Sequence, residues 1–173
     1  MQSTVQSEII CQCPCGAAKL TLQQLPITRF FCHCTICQAV YRQPHSDETI
    51  LWASDVTIDE PKPIAFQRYR RPPAASRGIC QECKSPVVAF VSITPLMRLA
   101  IVPSHLYIAQ ADLPTSRGHI FYGARTSDVD DQLPKHVGYL SSQFAALRHI
   151  VTGVAAQAHR KHCGARNSGA PAA

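Results

Sequence analysis

Seven of the nine cysteines fall into three short clusters whose spacing could hold metal ions. The clusters are a C-x-C pair, a C-x-C-x-x-C triplet and a C-x-x-C pair: Cys13 and Cys15; Cys32, Cys34 and Cys37; Cys80 and Cys83. Zinc held by four thiolates needs sulfur atoms roughly 3.8 Å apart, and cysteines on tight turns supply them. We therefore expect metal ligands here, with redox thiols or unrelated core cysteines as the alternative for the two pairs.

The number of clustered cysteines suggests how they divide between sites. Two closed four-thiolate sites need eight cysteines, so seven divide into a set of four and a set of three. We expect the two pairs to form one closed structural site, whereas the triplet leaves a coordination position open. An open position is typical of a functional site. The alternatives for the triplet are a reactive thiol and a structural site that Cys11 or a histidine completes.

Three further residues bear on this division. His33 lies between two triplet cysteines, and neighbours on an extended chain face opposite sides, so we expect it to point away from the metal. Cys11 is either an eighth ligand or a spare buried thiol. Cys163 is expected to be an exposed thiol near the C-terminus.

The start of the chain shows no arginine- or lysine-led apolar run of the secretory type, and no apolar stretch approaches about 18 residues. We therefore predict a cytoplasmic protein without a membrane partner. Closely spaced cysteines in a reducing compartment are more often metal ligands or catalytic thiols than disulfides.

The elements that must position the clusters are mainly short strands. The segments "AAKLTLQQL", "TILWA", "IAFQRY" and "PVVAFVSI" alternate in polarity or are rich in β-branched and aromatic residues, and prolines separate them. Near the end, apolar residues recur at steps of three and four, as in an amphipathic helix: Leu140, Phe144, Leu147, Val151 and Val154. The sequence predicts a mainly β domain over residues 9–155 with a C-terminal helix, and a disordered basic tail over residues 156–173.

The net charge of +6 is unevenly spread. Half of it comes from the last 18 residues, which hold Arg160, Lys161 and Arg166 and no acid. Trp52 and a few scattered tyrosines do not make an aromatic-lined basic face, so a nucleic-acid partner is not expected. The sequence does not indicate the oligomeric state.

Four segments together resemble the glutathione-dependent formaldehyde-activating enzyme family, which includes centromere protein V. They are "CPCGAAKL", "FCHCTICQAVY", "RGICQECKSPVV" and "HIFYGARTSDVDDQLPKHVGY", and the resemblance spans Ile10 to Gln143. It implies a β-tent of small antiparallel sheets stapled by zinc. The structural zinc carries over to Cys13, Cys15, Cys80 and Cys83, and the second zinc to Cys32, Cys34 and Cys37.

Two departures from the family pattern concern the shape of the substrate pocket rather than the metal sites. Lys84 stands where the family usually has glycine, and "YRQPHSDETILWA" lacks a glycine-containing stretch that is common after the triplet.

The resemblance implies a carbon–sulfur lyase that forms or breaks a glutathione adduct, such as S-(hydroxymethyl)glutathione from glutathione and formaldehyde. Cys32, Cys34 and Cys37 would be the catalytic set, because zinc there could keep a substrate thiol deprotonated. Four thiolates around one Zn²⁺ carry a net charge of −2, however, so the metal polarises a carbonyl poorly and the oxyanion needs separate donors. The alternatives are a glutathione or zinc carrier without turnover and a zinc-stapled interaction module.

Candidate contacts for glutathione come from two segments. Arg68 and Arg70 share one face of a predicted strand and could meet its carboxylates, although a solvated face is the alternative. His119, Tyr122 and Arg125 resemble a family motif, with packing or a surface loop as the alternative. We interpret Asp130, Asp131 and Lys135 as surface charge.

Overall fold

The computed structural model describes residues 8–59, 63–71, 75–109, 111 and 113–167, with side chains described as far as residue 159. This part of the chain forms ten strands and two α-helices. In chain order they are β1 (Ile9–Gln12), β2 (Lys19–Leu22), β3 (Thr28–Cys32), α1 (Thr35–Tyr41), β4 (Ser46–Trp52), β5 (Val56–Ile58), β6 (Ile64–Arg68), β7 (Ser76–Cys80), β8 (Pro86–Thr94), β9 (Met97–Pro103), β10 (His119–Ile120) and α2 (Tyr139–Asn167).

The strands form two sheets. The smaller has the order β1-β2-β5, and the larger has the order β10-β3-β4-β9-β8-β7-β6, so that β10 and β6 are its edge strands. Neighbouring strands are antiparallel, except that the two-residue strand β10 pairs with β3 in parallel. The predicted fold class, mainly β with one C-terminal helix and cysteine clusters that could staple a metal, is confirmed.

The main core lies beneath the smaller sheet and explains the alternating sequence of β2. In "KLTL" the two leucines, Leu20 and Leu22, are fully buried, whereas Lys19 is exposed. They pack with Val87 of β8 and Val102 of β9 in one apolar cluster. Burying such a side chain contributes about 1.5–3 kcal/mol, so this cluster fixes the smaller sheet against the larger one.

A paired charge holds β3 in register beside β4. The guanidinium of Arg29 donates to both carboxylate oxygens of Asp47, at 2.8 Å and 2.6 Å, and also donates to the Pro114 carbonyl at 3.4 Å. Bidentate pairs of this kind fix geometry as well as charge. The C-terminal end of β3, where Cys32 lies, is therefore tied to its neighbours.

Helix α2 packs on the sheet with a different face from the one its sequence suggests. An amphipathic helix normally turns its apolar stripe toward the core, but Leu140, Phe144, Leu147 and Val151 are 55–69% exposed. The helix instead packs on the sheet with Ala145, which is buried, and with Ala146, Ile150 and Val154, so Val154 is the member of the predicted stripe that joins the core. A Cβ added to Gly153 would press on the Ile27 carbonyl and lie 2.7 Å from Ile27 Cγ2.

Helix α2 also extends past residue 155, where the domain was predicted to end. It continues to Asn167, and the Gln157 side chain donates to the Leu25 carbonyl at 2.7 Å. The division into residues 9–155 and 156–173 stays a prediction, because residues 168–173 lie outside the described part. The side chain of Cys163 lies outside it as well. In the described residues, neither helix combines the length and apolar character needed to cross a bilayer.

Candidate metal centres

The structure brings together the four cysteines predicted to share a closed site. The sulfur atoms of Cys13, Cys15, Cys80 and Cys83 all lie within 4.8 Å of one another. Three of the pairs are separated by 3.4, 3.8 and 3.7 Å. These separations approach the roughly 3.8 Å expected between thiolates in a tetrahedral zinc site. The group could therefore hold a metal ion.

Two turns bring these four sulfurs together. After β1 the chain turns at Gly16, whose φ of +79° is readily adopted by glycine alone, and the amide of Ala18 donates to Cys13 Sγ at 3.2 Å. After β7 the amide of Lys84 donates to the Cys80 carbonyl at 3.0 Å. Lys84 itself has φ +59°, which explains on backbone grounds why glycine is usual in this turn.

The triplet forms a second group across the junction of β3 and α1. Cys32 is the last residue of β3, Cys34 is the N-cap of α1, and Cys37 lies in the first turn of the helix. The Cys37 amide donates to Cys34 Sγ at 3.4 Å, so the thiol acts as the capping group. All three sulfurs lie within 4.8 Å of one another.

The triplet is closed on one side and open on the other. Cys32 and Cys37 are buried, whereas Cys34 is partly exposed. Within the described residues, no fourth cysteine, histidine or carboxylate lies within 4.8 Å of all three sulfurs, although Glu48 contacts Cys37. Cys11 belongs to the main apolar core instead. The open side at Cys34 is where an added ligand could reach a bound metal.

The three thiols share their protons unequally. Hydrogen bonds from Cys32 and Cys37 lower the pKa of Cys34 to about 2. The pKa of Cys32 is raised, mainly because its thiol donates to Cys34. The negative charge of the group is therefore favoured at Cys34. A cation is needed to hold all three sulfurs as thiolates, because metal ligands must lose their protons.

Two charged residues beside the triplet were missed by sequence reasoning. Glu48 on β4 is buried, and its Oε1 lies 3.5 Å from Cys37 Sγ. Arg77 on β7 places Nη2 3.8 Å from the same sulfur. Burial raises the pKa of Glu48, which also shares a hydrogen bond with Tyr41. The sequence singled out neither residue, since Glu48 lies beside Asp47 in the polar first half of β4.

His33 faces away from the triplet sulfurs, as predicted, and joins a chain of polar contacts. Its Nε2 lies 2.8 Å from His119 Nδ1, and His119 Nε2 lies 2.8 Å from Asp131 Oδ2. Lys135 Nζ donates to Asp131 Oδ1 at 3.0 Å. Both histidines are 1% exposed. These contacts hold the turn between Cys32 and Cys34 in place on the side away from the sulfurs.

The same network adds to the interpretation of Asp131 and Lys135 as surface charge, because both side chains are partly exposed but paired with each other. The pKa of Asp131 falls to about 2, first because of its hydrogen bond with His119 and also because of the one from Lys135. The carboxylate is thus an ionised member of a partly buried network. Tyr122 packs on the His33 ring, with centroids 5.0 Å apart.

The remaining predicted glutathione contacts lie farther out. Arg125 is exposed, stacks over Tyr122 at 4.6 Å and pairs with Asp128. Arg68 ends the edge strand β6 and Arg70 follows it, and both are exposed. The arginine that contacts a triplet sulfur is Arg77 on the neighbouring strand, and roles for Arg68, Arg70, His119, Tyr122 and Arg125 in binding glutathione stay predictions.

Comparison with known proteins identifies one matching family. The sequence model of the family described as "Glutathione-dependent formaldehyde-activating enzyme" matches residues 8–123, a span that includes both cysteine groups. A crystal structure of a Rhodobacter sphaeroides protein is similar at 15% sequence identity and a TM-score of 0.49, covering 62% of this chain and 96% of that one. No curated protein sequence matches the chain.

Proposed function

Because the chain belongs to the glutathione-dependent formaldehyde-activating enzyme family, we propose that it is a zinc-dependent carbon–sulfur lyase acting on a glutathione adduct. The adduct we propose is S-(hydroxymethyl)glutathione, formed from glutathione and formaldehyde. The observation that carries the proposal is the group of three cysteine sulfurs within 4.8 Å of one another, open on the side of Cys34.

Both cysteine groups suit zinc by the chemistry of their donors. Thiolates are soft ligands, and sulfurs at these separations match a tetrahedral arrangement. Cys13, Cys15, Cys80 and Cys83 would hold a structural ion, and Cys32, Cys34 and Cys37 a second one. Zinc at the second site would supply a means of keeping a substrate thiol deprotonated near neutral pH.

The chain's own residues would handle the charge that the reaction develops. Addition forms a bond between the glutathione sulfur and the formaldehyde carbon, and the carbonyl oxygen takes up the proton that the thiol has lost. Arg77, beside Cys37, offsets the negative charge of the thiolates and of Glu48. We assign to it the role of donor to the developing oxyanion, which the sequence left unassigned.

Turnover, rather than binding alone, separates this function from the two alternatives. Thiols add to formaldehyde without help, so the test is the exchange rate between free and adducted glutathione with and without the zinc-loaded protein. We expect the protein to raise this rate above background. Cys34→Ser should remove the increment, and Arg77→Gln should reduce it at least about tenfold, while the control Lys19→Gln, which removes an exposed cation on β2, should keep it.

Two other outcomes would count against the lyase. Glutathione binding without any increment in exchange would indicate a carrier. If the zinc-loaded protein did not bind glutathione, the result would favour the other alternative, an interaction module. The cytoplasmic location stays a prediction that fractionation of cells expressing the protein can check.

A further inference from the structure

A cavity of about 390 Å³ opens between the C-terminal end of α1 and the turn that follows Cys83. Its lining includes Tyr41, Arg42, Cys83, Lys84, Ser85 and His105. The rings of Tyr41 and His105 meet edge to face with centroids 6.4 Å apart, and Ser85 Oγ lies 3.2 Å from His105 Nε2. The cavity thus combines aromatic walls with an exposed cationic rim.

Both cations on this rim have a backbone conformation that normally calls for glycine. Arg42 is the C-cap of α1 with φ +54°, and Lys84 has φ +59°. Side chains other than glycine and asparagine are disfavoured in this region. Phe121 is the only other such non-glycine residue in the described part of the chain. Non-glycine residues kept in a strained conformation are a reason to look for function.

The two cations are also free of carboxylate partners. The ion pairs found among residues 8–159 with described side chains involve Arg29, His119, Arg125 and Lys135 instead. Their charges are therefore available to an anionic ligand.

The cavity takes Cys83 of the four-cysteine group into its lining and is linked to the three-cysteine group through Tyr41. Tyr41, in its wall, shares a hydrogen bond with Glu48, whose Oε1 lies 3.5 Å from Cys37 Sγ. Arg42 follows Cys34, the cysteine on the open side, by eight residues, which is about 12 Å along a helix. An extended tripeptide spans about 10 Å. A tripeptide thiol with its sulfur at the cysteine group could therefore bring a carboxylate within reach of the long Arg42 side chain.

We propose that this cavity binds the carboxylate end of the thiol substrate, with Arg42 and Lys84 as its cationic contacts. This assignment rests on the proposed function and states which thiols the site would select. A planar guanidinium can accept a carboxylate in two parallel hydrogen bonds, and Lys84 adds a point charge. The substrate class is then a thiol that carries a carboxylate, as glutathione does.

The test compares two thiols by calorimetry with the zinc-loaded protein: glutathione and N-acetylcysteamine, which has no carboxylate. We expect wild type to bind glutathione more tightly. Arg42→Gln and Lys84→Gly should each weaken glutathione binding about threefold to fivefold, and the double variant about tenfold or more. Binding of N-acetylcysteamine should not change. Lys19→Gln, which removes an exposed cation on β2, is the matched control and should bind both thiols as wild type does.

The variants also separate binding from folding. Lys84→Gly relieves the strained backbone and should raise the melting temperature by about 2–4 °C, so weaker binding in this variant does not reflect unfolding. Unchanged glutathione affinity in the double variant would overturn the assignment and leave the proposed function standing. If wild type bound neither thiol, the proposed function and this assignment would both fail.

The exposed stripe of α2 is a second, independent observation. We call it the outer seam: Leu140, Phe144, Leu147 and Val151, all more than half exposed. Their spacing of four, three and four residues is that of a helix that pairs with another helix. With Val137 and Tyr139, the seam exposes roughly 600 Å² per copy, so two copies reach the approximately 1,200 Å² at which specific interfaces begin.

The charge distribution suits a second copy in antiparallel orientation. Helix α2 contains no acidic residue, and its segment from Tyr139 to Leu147 contains no charge. The cations of the helix begin at Arg148 and are concentrated at residues 160, 161 and 166. An antiparallel pair that meets along the seam places the basic ends of the two helices at opposite ends of the interface, whereas a parallel pair sets like charges side by side.

We infer that the outer seam is a two-fold interface between two copies of this chain. Sedimentation velocity should show a dimer of the full chain at about 100 μM, since interfaces near the lower size limit are typically weak. Phe144→Glu combined with Leu147→Glu should yield a monomer with an unchanged circular dichroism spectrum. Leu96→Glu is the control, because Leu96 is fully exposed in the β8–β9 turn and lies outside the seam. A monomeric wild type, or a dimer that survives the double change, would overturn the inference.

Discussion

Replacing Cys80 by serine should cost the protein much of the stability that a metal ion provides. Cys80 is fully buried, and its sulfur lies 3.7 Å from that of Cys15, which is 65 residues away in sequence. Treated as a cross-link, a metal that closes a loop of this length stabilises the fold by about 4 kcal/mol. That is a large share of the roughly 5–15 kcal/mol typical of a domain, and it corresponds to a fall in melting temperature of about 8–16 °C.

The assay is thermal unfolding combined with metal analysis of the same samples. Wild type should carry two zinc ions per chain, and Cys80→Ser should lose the ion of the four-cysteine group. Cys34→Ser is the matched comparison, because it removes a sulfur from a group whose members lie within six residues. Closing so short a loop contributes only about 2 kcal/mol, so its melting temperature should fall less.

The metal-free protein decides whether this reasoning is correct. If the stability gap arises from the metal, it should nearly vanish when wild type and Cys80→Ser are compared after zinc removal. A gap of the same size in metal-free protein would show that Cys80 acts through packing alone. A full complement of zinc in Cys80→Ser would refute the assignment of the group.

Three further predictions follow from contacts in the fold. Arg29→Gln should lower stability by about 1 kcal/mol, or about 3 °C in melting temperature, because it breaks the bidentate pair with Asp47. Gly153→Ala should destabilise the protein by about 1–3 kcal/mol through overpacking against Ile27, although alanine favours helices by about 1 kcal/mol; Thr152→Ala is the exposed control, and a rise in the melting temperature of Gly153→Ala would contradict the close contact. Asp131 has a pKa of about 2 in the fold, below its unfolded value of about 3.9, so its charge stabilises the protein above pH 4 and that contribution disappears as pH falls toward 2. The melting temperatures of metal-free wild type and Asp131→Asn should therefore differ at pH 5–7 and converge in acid, and a gap that does not change with pH would contradict the ionic role.

The features that the sequence predicted correctly are local ones. A C-x-x-C turn brings two sulfurs together within four residues, and alternation within "KLTL" places Leu20 and Leu22 on one face. The arrangement around the triplet could not be predicted in this way, because Glu48 and Arg77 come from β4 and β7. Their proximity to Cys37 depends on strand order, which no short pattern encodes.

Helix α2 shows how tertiary packing can override an apolar pattern. The stripe of large residues predicted a buried face, but the face that meets the sheet combines the small residues Ala145 and Gly153 with Ile150 and Val154. Periodicity identified the helix correctly. It could not reveal which of two faces would meet the sheet, because that choice depends on the shape of the surface beneath.

The edge strand β6 has a consequence for how the protein avoids aggregation. An edge strand presents unpaired backbone groups to which another chain can add, and Phe66 on this strand is 45% exposed, which increases the hazard. Arg68 ends the strand, and Arg70 and Arg71 follow it, all of them exposed. Concentrated positive charge at a strand end opposes the addition of a like-charged edge. These arginines therefore oppose the addition of a strand from another copy to the larger sheet, so neutralising them should favour aggregation.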